Sequence, residues 1–169
     1  YYDRFRNRII IPIHNERGQI VAFGGRILGE GQPKYLNSPE TNIYNKSKIL
    51  YGLYQAKNNI RESDSIIVTE GYFDVISLHI KGIKNTVATC GTALTKDQLK
   101  LIGRYCDSKR IYMSFDSDKA GQKAAERGFE AIKETYGGLG DLKLIDNINS
   151  AYEIRVIKIP DNKDPDDYI

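Results

Sequence analysis

The stretch Ile111-Tyr112-Met113-Ser114-Phe115-Asp116-Ser117-Asp118 decides the fold. It opens as a short apolar run and ends on two carboxylates one residue apart. From residue 120 to about 136 it is followed by a run of Ala, Glu, Lys and Arg with strong helix propensity. A strand that exits into acid and then into a helix is one unit of an alternating α/β chain. Asp is a poor strand residue, and two like charges this close raise each other's cost. An acidic turn that caps the next helix would account for the pair. So would a hard divalent cation, Mg²⁺ or Mn²⁺, which typically binds through one or two carboxylates plus substrate phosphates.

Working outward from that unit, the same alternation recurs. Ser65-Ile66-Ile67-Val68-Thr69 reads as a buried strand ending at Glu70-Gly71, followed by a helix over residues 73–81 that Gly82 closes. Residues 85–90 form the next strand. Thr95-Lys96-Asp97-Gln98 fits a capping box and opens a helix to about residue 106. Residues 110–115 are the third strand. Residues 141–152 look irregular, and 152–159 alternate well enough for a fourth strand, followed by Pro160-Asp161-Asn162-Lys163-Asp164-Pro165-Asp166-Asp167. This order predicts an α/β fold, a mostly parallel sheet flanked by helices on both faces. Ligands of such sheets bind outside the carboxyl ends of the strands. Three of the four strands finish in acid, and Asp74 lies one helical turn beyond Glu70. One end of the sheet therefore collects Glu70, Asp74, Asp116, Asp118, Asp164 and Asp166. Two divalent ions would relieve the repulsion within that set and could clamp a transferring phosphoryl group.

The front of the chain has a different grammar. Arg8-Ile9-Ile10-Ile11-Pro12-Ile13 and Gln19-Ile20-Val21-Ala22-Phe23-Gly24-Gly25 read as antiparallel strands joined by the turn Asn15-Glu16-Arg17-Gly18. Gly24-Gly25 suits a bulge or a close backbone approach. Residues 29–46 read as a Gly/Pro-punctuated loop, with Tyr35, Leu36 and Tyr44 arguing against disorder. A short helix is expected over 53–58. Residues 1–61 hold 10 Lys/Arg and 4 Asp/Glu, whereas 62–169 hold 15 and 18, so a net +6 faces a net −3. A basic part joined to an acidic part suits a polyanion on the first and metal on the second. The expected division is 1–61, part of a small antiparallel basic subdomain, and 62–169, the metal-binding subdomain.

Several classes are excluded or disfavoured. No stretch approaches the ~20 apolar residues that span a bilayer, no signal-peptide pattern is present, and the chain reads as a piece of a longer, cytoplasmic protein. The two Cys and two His match no zinc spacing. There is no G-x-x-x-x-G-K-[ST] loop, G-x-S-x-G elbow or Gly-rich dinucleotide turn. Metal-assisted phosphoryl transfer remains. A phosphoacceptor regulatory domain would carry its acid pair after the first parallel strand rather than the third. A purely structural nucleic-acid clamp would not need the intact acidic set.

Glu70-Gly71-Tyr72-Phe73-Asp74-Val75-Ile76 followed by Asp116-Ser117-Asp118 resembles the TOPRIM module of bacterial-type primases, topoisomerases and some nucleases. The front part selects among these. Arg4-Phe5-Arg6-Asn7-Arg8, Phe23-Gly24-Gly25-Arg26, Pro33-Lys34-Tyr35-Leu36-Asn37-Ser38-Pro39-Glu40-Thr41, Lys46-Ser47-Lys48 and Leu50-Tyr51-Gly52-Leu53 resemble the catalytic core of bacterial DNA primases. Residues 142–150 depart from that pattern and look longer than the usual connection. The resemblance implies RNA primer synthesis from ribonucleoside triphosphates on a single-stranded DNA template at the replication fork. A DNA-cleaving topoisomerase or nuclease is the alternative. It further implies that Glu70, Asp116 and Asp118 are catalytic, and that Asp74, Asp164 and Asp166 join them around Mg²⁺ or Mn²⁺, two ions in all. Arg4, Arg6, Arg26, Lys34, Tyr35, Asn37 and Lys46 would handle nucleotide, template or the RNA–DNA hybrid. Zinc is expected only in a preceding domain, and the replicative helicase would bind a region outside this chain. No membrane partner is implied.

Overall fold

The hairpin forms where local signals are strongest. The computed structural model describes residues 2–89, 91, 93–114 and 153–157. β1 (Arg8–His14) and β2 (Ile20–Ile27) pair antiparallel, with Ile11 opposite Gly24 and Ile13 opposite Ala22. Ile11 and Ile13 are buried and Ile10 and Pro12 exposed, the two-residue period of a half-buried strand. The turn is built by Asn15, whose side-chain oxygen accepts the backbone N–H groups of Arg17 and Gln19, both at 3.0 Å. Gly18 takes the positive φ of 86°.

The loop expected over residues 29–46 contains a third strand. β3 (Tyr35–Asn37) lies antiparallel on β2, pairing Gly24 with Asn37, Gly25 with Leu36 and Arg26 with Tyr35. Three residues are too few to show a period, and their partners, Gly24 to Arg26, lie in the preceding strand across an intervening loop. The hydrogen bonds that define β3 are therefore invisible to local reading. A 3₁₀ turn over Lys46–Lys48 follows.

α1 (Leu53–Ser63) runs five residues past the expected helix. Its buried residues, Leu53, Ala56 and Ile60, continue the helical spacing to that point. The division expected after residue 61 thus falls inside α1. Its apolar stripe is part of the same core as the parallel sheet.

The parallel sheet comprises β4 (Ile66–Thr69), β5 (Thr86–Ala88), β6 (Arg110–Met113) and β7 (Glu153–Val156), in the order β5-β4-β6-β7. All three pairings are parallel, as the alternating pattern predicts. α2 (Tyr72–Ile80) follows β4, and α3 (Lys96–Ile102) follows β5. Thr95 and Gln98 close the expected capping box at the start of α3. The larger core gathers Leu50, Ile60, Ile66, Val68, Leu99, Ile102, Ile111 and Met113 among others. A second cluster of Ile11, Ile13, Ala22, Tyr44 and Tyr72 lies between the antiparallel sheet and α2. Among the described residues no helix is long and apolar enough to cross a membrane. The helix expected over 120–136, the irregular segment 141–152, and Asp116, Asp118, Asp164 and Asp166 lie outside the described residues.

Candidate nucleotide and metal site

Strand order fixes where a site can form. The chain leaves β4 for β5 on one side, then crosses to β6 on the other. The carboxyl end of β4 is therefore the switch point at which open α/β sheets place ligands. Ser114 donates its N–H to the Val68 carbonyl at 2.9 Å, so β4 and β6 finish level. Thr69, fully buried, donates its hydroxyl to the Val87 carbonyl at 3.2 Å and locks the strand end. Glu70 is the next residue and half-buried.

Asp74 is held beside it. Gly71 donates its N–H to Asp74 Oδ2 at 2.9 Å. A Cβ on Gly71 would stand 3.3 Å from that oxygen, so glycine permits the close approach. The bond caps the first turn of α2 and sets a second carboxylate one turn beyond Glu70. Glu70 and Asp74 are the members of the predicted acidic set whose positions are described. Among the described residues no group of three potential ligands comes together. Carboxylate oxygens are the donors that hard divalent ions take, so these two residues fit such an ion.

The basic sheet meets α2 at its first two residues. Arg26 places its guanidinium 4.7 Å from the Phe73 ring centroid and 5.6 Å from that of Tyr35. It also donates to the Tyr35 hydroxyl at 3.2 Å. Lys34 Nζ lies 5.9 Å from the Tyr35 centroid. Tyr72 donates its hydroxyl to Asn37 Oδ1 at 2.6 Å, and Arg4 donates to the Asn37 carbonyl at 3.3 Å. Five predicted residues, Arg4, Arg26, Lys34, Tyr35 and Asn37, thus form one group directly after Glu70-Gly71. Arg6 stands apart, over the Tyr2 ring at 5.7 Å. Lys46 is also apart: its N–H donates to Glu40 at 3.1 Å, and its carbonyl accepts from Gln98 on α3 at 3.0 Å.

The loop carrying Lys34 is stitched in place. Arg8 donates to the carbonyls of Pro33 at 2.8 Å and Lys34 at 3.4 Å, and Asn7 donates to Leu28 at 2.9 Å. A cavity of about 500 Å³ opens there between Arg26 and Lys34, floored by Ile9, Ile27 and Leu28. A larger cavity of about 610 Å³ lies between the β1–β2 turn, residues 41–50 and α3. Among the described residues, none of the predicted site residues lines it. Four of its charges are paired with one another, Arg104 with Glu16 at 3.3 Å and Lys100 with Asp97 at 3.9 Å. Of the predicted site residues, Arg26 and Lys34 line the smaller cavity.

Sequence reasoning gave no role to Tyr72, Phe73 and Arg8. The first two sit in the quoted motif immediately after Glu70-Gly71, where an aromatic pair at a strand exit is a usable signal. Arg8 acts through carbonyls far away in sequence and leaves no local mark.

Residues 1–57 match the family described as "DNA primase catalytic core, N-terminal domain", and residues 67–169 match the family described as "Toprim-like". A DNA primase of Clostridium acetobutylicum is 49% identical over 169 residues, covering 99% of this chain and 25% of the relative. The crystal structure of a DNA primase domain from Pseudomonas aeruginosa superposes with a TM-score of 0.81 at 44% identity, covering 98% of this chain and 47% of that one. A DnaG primase catalytic domain bound to single-stranded DNA gives 0.79 at 39% identity, covering 98% and 48%. The chain spans about a quarter of the curated relative and about half of the solved domains. The fold is thus shared with these solved domains, and the chain belongs to the bacterial DNA primase catalytic-core family, its second part being a Toprim-like module.

Proposed function

We propose that this chain is a catalytic part of an enzyme that joins ribonucleoside triphosphates into short RNA primers on single-stranded DNA, releasing pyrophosphate. The observation that carries the reading is the seating of Arg26, Tyr35 and Asn37 on Tyr72 and Phe73, directly beyond Glu70. Phosphate-binding cations and a carboxylate at a sheet switch point are what metal-assisted nucleotidyl transfer requires side by side.

Toprim-like modules use divalent metal. Glu70, Asp74, Asp116, Asp118, Asp164 and Asp166 are the residues proposed to hold Mg²⁺ or Mn²⁺, two ions at full occupancy. Such ions lower the pKa of an attacking hydroxyl and neutralise a pyrophosphate leaving group. The remaining steps belong to the chain. Arg26, fixed by two rings, presents a preorganised fork to phosphate. Lys34 supplies a mobile point charge from the rim of the adjoining cavity. Asn37 adds neutral donors, and Arg4 extends the cationic surface toward the template or the RNA–DNA hybrid. Arg6 and Lys46, outside the group, are proposed to touch nucleic acid farther along its path. The division at 61/62 is retained, with α1 as the rigid connector. Zinc, the replicative helicase and action at the replication fork are assigned to the longer protein. Single-stranded DNA as template accords with the DNA-bound relative.

The test is primer synthesis by the full-length parent on single-stranded DNA. Ribonucleotide incorporation is expected only with Mg²⁺ or Mn²⁺, and the Asp116→Asn/Asp118→Asn variant is expected to lose it while keeping the wild-type melting temperature. Synthesis retained in that double variant would contradict the metal assignment.

A further inference from the structure

Asn37 carries both a donor and an acceptor on one amide, and only one end of it suits phosphate. The following inference rests on the nucleotide-binding role proposed for Asn37. We propose that Tyr72 is a positioning residue: it holds the Asn37 amide in the orientation that leaves Nδ2 to donate to substrate phosphate.

Three observations carry this. The Tyr72 hydroxyl stands 2.6 Å from Asn37 Oδ1. That separation belongs to an O–H···O bond, whose usual distance is ~2.7–2.8 Å, rather than to an N–H···O bond at ~2.9–3.0 Å. The amide oxygen is therefore the end engaged, and among the described residues nothing accepts from Nδ2. Next, the phenol cannot drift. Tyr72 is 4% exposed, packs edge-on against Tyr51 at 4.8 Å and 75°, and covers Gly24 so tightly that a Cβ there would lie 2.7 Å from its ring. Last, the Asn37 backbone is fixed by its pairing with Gly24 in β2 and by Arg4 on its carbonyl. With both backbones held, the hydroxyl selects between two amide orientations that differ by a flip. In the other orientation Oδ1 would face the anion and repel it. Tyr72 touches no reacting atom in this scheme and acts through Asn37.

The experiment is steady-state primer synthesis by the full-length parent carrying Tyr72→Phe, Asn37→Ala or both, with melting temperatures alongside. Tyr72→Phe keeps the ring over Gly24 and beside Tyr51 and removes one hydroxyl. The apparent KM for ribonucleoside triphosphate is expected to rise ~3–10-fold, the scale of one hydrogen bond, with kcat and melting temperature close to wild type. Asn37→Ala is expected to raise KM at least as much, and the double variant no further than Asn37→Ala. Asn37→Asp, which keeps an acceptor for Tyr72 but has no donor, is expected to bind no better than Asn37→Ala. Unchanged KM in Tyr72→Phe, or additive costs in the double variant, would overturn the proposal. A wild-type parent that incorporates no ribonucleotide would instead overturn the functional reading itself, before any variant is compared.

Discussion

Arg26 shows what a single side chain contributes here. Two aromatic faces and a hydroxyl hold its guanidinium, so little rotamer freedom remains to be lost when phosphate binds. Lys34, reaching over the Tyr35 ring alone among the described residues, keeps that freedom and contributes mainly charge. Replacing Lys34 with Ala is therefore expected to weaken DNA or nucleotide binding and to flatten its dependence on salt by about one phosphate contact. A salt titration of binding by the full-length parent checks this, and an unchanged slope with unchanged affinity would count against the role. At this scale the sequence was informative about chemical type and silent about company. Arg26, Lys34, Tyr35 and Asn37 stand in a string that resembles a known core. That Tyr72, 35 residues on from Asn37, and its neighbour Phe73 complete the group in no local pattern depends on packing between the two sheets.

At the scale of elements, α2 does most of the positioning. Its first turn holds Asp74 and the aromatic pair, and its last holds His79, whose Nε2 lies 2.9 Å from the Thr86 carbonyl on β5. A carbonyl only accepts, so Nε2 carries the proton. Burial pushes the imidazole pKa below its usual 6.5, with Lys84 adding to that push and the Thr86 bond opposing it. A base whose folded pKa is depressed is neutral in the fold and charges first in the unfolded chain. Its contribution is thus complete above about pH 6.5 and is lost as pH falls from there through the folded value. Melting temperature is expected to drop on acidification across that window, and His79→Gln to reduce the slope; identical pH profiles for the two proteins would refute this. The parallel elements were legible because β4, β5 and β6 are apolar runs punctuated by glycine and by one capping box. β3 was not, because three residues show no period and their hydrogen bonds come from β2.

Among the described residues, the antiparallel sheet packs on α2 directly after Glu70 at the end of β4, and several contacts keep the two sheets in register. Gln98, fully buried on α3, donates to the carbonyls of Lys46 at 3.0 Å and Ile49 at 2.8 Å, and accepts from Thr95. It thereby ties the segment after β3 to the parallel core. Every polar group of that amide is used, which is the condition under which burying it is tolerable. The charge asymmetry along the sequence and the acids at strand exits predict such an arrangement, of which Glu70 and Asp74 are the acids among the described residues. Their union into one site is the central claim, and Glu70 is the acid placed next to the basic group. The most direct measurement is therefore divalent-metal-dependent primer synthesis by the full-length parent with Glu70→Gln, alongside its binding to single-stranded DNA. Incorporation is expected to fall ~100-fold or more, the scale on which an acid–base or metal-holding group acts, with DNA binding unchanged. Wild-type incorporation by Glu70→Gln would contradict the account.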